Sequence, residues 1–161
     1  MSFDQLSQLY HTEEQSVPVE IFAKKLSPSE AVCKFIKENR QQSFHHIAAL
    51  LNRDDRSVWT SYHRANKKMP ACFRITQPSP SIPISILANR SFSFLESIIL
   101  YLSKQGMKPT AIAKLLHRAA PIIYTVLGRA RKKENKENKE NKENQTNKEN
   151  KEGKENKKEG T

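Results

Sequence analysis

IAALLNRDDRSVWTSYHRANKK, residues 47–68, reads as two helices joined by a tight turn, and IAKLLHRAAPIIYTVLGRARKK, residues 112–133, repeats it. At an offset of 65 positions the two stretches share Ile47/Ile112, Ala48/Ala113, Leu50/Leu115, Leu51/Leu116, Arg53/Arg118, Thr60/Thr125, Arg64/Arg129, Ala65/Ala130 and both closing lysines, without a gap. Such self-similarity is the mark of an internal duplication. In the first copy Ile47, Leu50 and Leu51 form an apolar stripe at helical spacing, and Ala48 is small enough for a crossing helix to approach. Val58, Tyr62 and Ala65 then recur at i, i+4 and i+7, as do Ile123, Leu127 and Ala130 in the second copy. Between the helices stand Asn52 and His117, residue types enriched in the left-handed backbone region that a tight turn requires.

The duplication extends upstream. Val17-Pro18-Val19-Glu20-Ile21-Phe22-Ala23 matches Ile82-Pro83-Ile84-Ser85-Ile86-Leu87-Ala88, where proline sets an extended entry. Ser27-Pro28-Ser29-Glu30 is a capping box with proline at the first helical position, and Ser93-Phe94-Leu95-Glu96 is the same box without it. Here the offset is 66, so one residue is gained before this helix and lost again in the turn after it. Val32, Phe35 and Ile36, and Ile98, Ile99, Tyr101 and Leu102, are its core faces. Gly106 closes the second of these helices, Ser43 caps the next helix of copy one, and Pro109 opens that of copy two.

The fold class expected is therefore all-α: two tandem three-helix helix-turn-helix units, residues 17–68 and 82–133, between an N-terminal segment 1–16 and a tail 134–161. Units of about fifty residues bury only about 60% of their chain surface, so mutual packing would help each. The joining segment 69–81 contains Pro70, Pro78 and Pro80 and is expected to be extended. Its thirteen residues reach at most about 43–47 Å, enough for modules one DNA turn, about 34 Å, apart. From Glu134 onward Lys-Glu-Asn recurs almost without apolar residues, a composition that predicts disorder, with transient helix from its alternating charges.

The two helix-turn-helix stretches, IAxLLNR, a short polar turn and VWTSYHRAxKK, resemble region four of bacterial sigma factors and related transcription regulators. The resemblance covers residues 28–68 and 94–133. It implies a helix-turn-helix fold and DNA binding for transcription, with the second helix of each motif as the reading element. Two departures are visible: Asn or His stands where that family usually has Gly, and nothing resembles the promoter-melting regions of a complete sigma factor.

Charge agrees with a polyanionic partner. The chain of 161 residues has a formal net charge of +11, but residues 17–133 carry 20 basic against 6 acidic side chains while the tail is balanced. A basic surface this dense favours nucleic acid, the plain alternative being a solvated face. On the second helix of copy one, a 100° step per residue places Arg56, Thr60, His63, Arg64 and Lys67 opposite the buried side. Ser57 and Trp59 lie at its margin, and Lys68 closes the helix. In copy two the corresponding side offers Pro121, Ile122, Thr125, Gly128, Arg129 and Lys132, with Tyr124 at the position matching Trp59 and Lys133 matching Lys68. Arginine can grip guanine with two hydrogen bonds, threonine can meet a base edge or a thymine methyl, and terminal lysines suit phosphates. Trp59 and Tyr124 stand equally between stacking on DNA and covering the core edge. Ile122 could instead meet a protein. Asp54 and Asp55 fit helix capping better than base contact.

No catalytic or metal-binding pattern competes. His45 and His46 diverge by about 100° around a helix and cannot share a ligand face. Only 4 glycines occur, none in a phosphate loop or nucleophile elbow. Cys33 and Cys72 have no framework spacing, and Cys33 reads as a small buried residue. Absent a membrane-length apolar run, the expected setting is cytoplasmic. The expectation is thus a non-enzymatic, cofactor-free, sequence-specific duplex-DNA binder. The alternatives are a module docking on RNA polymerase or another transcription protein, and a binder of structured RNA.

Overall fold

The computed structural model describes residue 2, residues 15–76 and residues 78–155, with side chains described to residue 148. Most of the N-terminal segment therefore lies outside the described residues, as do residues 156–161. Copy one consists of a strand β1 (Ser16–Pro18), a 3₁₀ turn (Val19–Ala23) and helices α1 (Pro28–Glu38), α2 (Phe44–Leu51) and α3 (Asp55–Lys68). Copy two repeats the order with β2 (Ser81–Pro83), a short helix α4 (Ile84–Leu87), α5 (Phe94–Lys104), α6 (Pro109–Leu115) and α7 (Ala120–Glu155).

Local chemistry sets these boundaries. Both capping boxes form: the Ser27 and Ser93 hydroxyls accept from the backbone N–H of Glu30 and Glu96, whose carboxylates accept in return from the serine N–H groups. That satisfies two of the helix N-terminal donors at each start. Asn52 ends α2 at φ 50°, and His117 takes the same φ after α6. In each turn the following N–H, Arg53 or Arg118, bonds back 2.9 Å to the carbonyl of Ala48 or Ala113. Gln41 at φ 53° and Gly106 at φ 87° turn the chain between the first and second helices.

The hydrophobic core is continuous across the copies. Ile47, Leu51, Val58 and Ala65 join Val32 and Ile36 in one half; Ile112, Leu116, Ile123 and Leu127 join Ile98 and Leu102 in the other. Each of the fully buried leucines and isoleucines contributes about 1.5–3 kcal/mol. Val17, Val19, Ile82 and Ile84 fill the space between the halves. There β1 and β2 pair antiparallel, with Val17 facing Ile82. Asn52 donates to the Ala88 carbonyl at 3.3 Å, and the Arg53 guanidinium lies 5.0 Å from the Phe94 ring, so the copies also touch through polar groups.

Three expectations change. The all-α class holds for the bulk of the chain, but proline at positions 18 and 83 brackets a two-stranded ribbon instead of a bare extended entry. The segment after α3, expected to be extended, is also docked on copy one, where Phe73 is buried against the Phe35 ring at 6.3 Å and its carbonyl accepts from Asn39. The copies pack directly. Finally, α7 does not end at the start of the Lys-Glu-Asn repeat; it continues helical to Glu155. Ile123, Val126, Leu127 and Ala130 nucleate it on the core, and extending an existing helix avoids the nucleation cost. Among the described residues, no helix is long and apolar enough to cross a membrane.

Candidate nucleic-acid interface

Helix α3 stands on α1 and α2 with Val58 and Ala65 buried and Tyr62 half-buried, as its spacing predicts. The opposite side carries Arg56, Trp59, His63, Arg64 and Lys67, all exposed. With Thr60 and Asn66, four of these line a shallow depression along the outer face of the helix. Asp54 caps α3, accepting the Ser57 N–H at 2.9 Å and the Ser57 hydroxyl at 2.7 Å. Those bonds hold the Asp54 carboxyl below the usual carboxylate range. Asp55 lies 3.1 Å from the His45 ring.

Hydrogen bonding sorts the expected readers. Ser57 is committed to its cap. The Thr60 hydroxyl donates to the Arg56 carbonyl at 2.8 Å, and Thr125 does the same to Pro121 at 2.9 Å, so each threonine presents its remaining acceptor capacity and methyl outward. His63 donates from Nδ1 to the Trp59 carbonyl at 2.9 Å and stacks on the Trp59 ring, centroids 3.8 Å apart. Arg56, Arg64 and Lys67, and in copy two Arg129 and Lys132, are exposed and enter no salt bridge among the described residues.

Lys68 and Lys133, expected at phosphates, each make an ion pair within the protein while staying about half exposed. The Lys68 ammonium bonds the Glu30 carboxylate at 3.0 Å, and Lys133 bonds Glu96 at 2.7 Å. The capping-box glutamate of the first helix thus ties down the third helix at matching lysines in both copies, a duplicated brace that the sequence offered only as a glutamate and a lysine far apart. Burial pushes the Glu96 carboxyl up, but Lys133, the Ser93 N–H and nearby Arg129 outweigh it and hold it below the usual range.

Trp59 and Tyr124 sit at matching positions and are 50% and 55% exposed. Copy two differs in its readers. Pro121, Ile122 and Gly128 replace Arg56, Ser57 and His63, and Ile122 is 46% exposed. The copies differ beneath the surface as well. In copy one the fully buried Lys34 bonds Glu38 at 2.8 Å and Asn66 at 3.4 Å, and Tyr62 donates to the same Glu38 oxygen. Copy two has Leu100 and Lys104 at those places, and Lys104 instead pairs with Glu134. A groove of about 370 Å³ opens between Ile86, Leu100, Tyr101 and α7, where Asn138 stands at the position matching Phe73.

Comparison with known protein families, with curated proteins and with solved structures found no match.

Proposed function

We propose that the protein binds duplex DNA through the outer sides of α3 and the first four turns of α7, as a tandem helix-turn-helix regulator of transcription. The observation that carries this reading is the set Arg56, Arg64 and Lys67, exposed on one side of α3 without a salt-bridge partner among the described residues. Cations held on a rigid helix at the surface gain most from a polyanion, whose binding releases condensed counter-ions. The helix meets the size and side-chain chemistry of the major groove. Arg56 and Arg64 suit bidentate contact with guanine, Thr60 suits a thymine methyl, and Lys67 suits phosphate. In copy two Arg129 and Lys132 keep the backbone contacts while base readers are fewer.

The test is a titration of the full chain against duplex DNA over a range of salt. Log affinity is expected to fall linearly with log salt, with a slope of about 0.9 per phosphate contact. Lys67→Ala should weaken all sequences alike and lower the slope by about one. Arg56→Ala should instead flatten the preference among sequences, costing about 1–3 kcal/mol of discrimination at one base pair. A salt-independent affinity, or uniform weakening by Arg56→Ala, overturns these assignments.

A second reading, docking on a protein of the transcription machinery, draws on Ile122 and Tyr124, two large side chains exposed in the first turns of α7. Capture of a partner that survives nuclease and high salt would favour it.

A further inference from the structure

We infer that the duplex read by this protein carries its half-sites in inverted orientation, as an imperfect palindrome and not as a direct repeat; the inference rests on the DNA-binding reading above. Its ground is how the ribbon pairs. Val17 faces Ile82, Ser16 faces Pro83 and Pro18 faces Ser81. Val17 and Ile82 are each other's counterparts in the duplication, and exchanging the copies turns the Ser16–Pro83 pair into the Pro18–Ser81 pair. An antiparallel ladder in which counterparts face one another has a local twofold axis through the central pair.

The surroundings obey the same axis. Val19 donates to the Pro80 carbonyl at 2.9 Å, and its counterpart Ile84 donates to the Gln15 carbonyl at 2.7 Å. Helix α2 packs on α4 of the other copy, while α6 packs on the 3₁₀ turn of the first. Helices α1 and α5, counterparts themselves, meet across the axis. A duplication that runs head to tail along the chain has folded into the arrangement of a twofold dimer.

The same rotation relates α3 to the first turns of α7. When both engage one duplex with equivalent side chains, the half-sites are related by the local twofold of B-form DNA, as the operators of twofold helix-turn-helix dimers are. The palindrome is imperfect for a reason visible in the side chains. Thr60/Thr125 is shared, so the base pair it meets is the same in both halves, and the shared Lys67/Lys132 keeps the same phosphate contact in each. Arg56/Pro121 and His63/Gly128 are not shared, so their base pairs are specified in one half only.

Selection of the full chain on a random duplex pool, followed by titration on the enriched half-site arranged inverted, direct or single, tests this. The inverted duplex is expected to bind at least about tenfold tighter than the other two, a difference of about 1.4 kcal/mol. A direct repeat bound as well or better overturns the inference and leaves the DNA-binding reading standing, as does a single half-site bound equally well. A pool that yields no enriched or bound duplex overturns that reading itself. The double variant Pro121→Arg, Gly128→His restores the copy-one readers; a Cβ at Gly128 meets nothing within 4 Å. It is expected to gain about tenfold on the fully symmetric inverted duplex, and a gain on the direct repeat in its place counts against the inference.

Discussion

Lys34 is fully buried in copy one, whereas copy two solves the same position with Leu100, half-buried. A buried ammonium is tolerable only when it is paired and hydrogen-bonded, and Glu38 and Asn66 take two of its three donors. Burial pushes the Glu38 carboxyl up, yet Lys34, Cys72 and Tyr62 together hold it below the usual range. Removing one partner of such a pair costs about 3 kcal/mol, while replacing both can be near neutral. Lys34→Ala is therefore expected to lower the urea midpoint strongly, and Lys34→Leu combined with Glu38→Gln to recover most of the loss. A midpoint unmoved by Lys34→Ala would show that the pair contributes nothing. None of this could be read from the sequence, because a lysine in a helical pattern is by default solvated. The capping boxes and the left-handed Asn52 and His117 were legible, since backbone chemistry acts over three or four residues and leaves its residue types in place.

At the scale of elements, α7 joins two different kinds of helix. Up to Ala130 it is held by burial, and Glu134 ties it to Lys104. Beyond Asn138 every described side chain is exposed. The pair Lys136–Glu140 at 3.8 Å represents what remains, and exposed i,i+4 pairs contribute only about 0.2–0.5 kcal/mol each. Circular dichroism in 1 M salt is expected to show helix lost from this segment alone. Truncation after Asn138 should remove that portion of the signal without moving the thermal midpoint of the core; a lowered midpoint would mean that the extension supports the fold. Composition pointed to disorder here because it counts apolar residues and does not register a helix already nucleated upstream. The burial of Phe73 went unread for a related reason: one aromatic in a proline-bearing segment has no periodicity to betray where it lands.

For the whole molecule, the duplication was plain in the sequence but its axis was not. Three-residue strands carry too little pattern to announce a partner 65 positions away, and the offset gives no rotation. Once the axis is known, a fragment spanning residues 15–76 acquires a definite expectation. Its exposed β1 edge and the uncovered side of α1 should pair with those of a second fragment, Val17 against Val17, and sedimentation should find a dimer. A folded monomer at micromolar concentration would count against the twofold account.

A ribbon edge that fits its own counterpart is a self-complementary fastening, and this chain carries both halves of it. Two separate units would have to find each other before closing on a target, so their occupancy of it would rise with the square of concentration when dilute. Here the mate is supplied by the same polypeptide, in fixed one-to-one proportion. Occupancy then rises only with the first power, and each half became free to acquire different side chains without losing its companion.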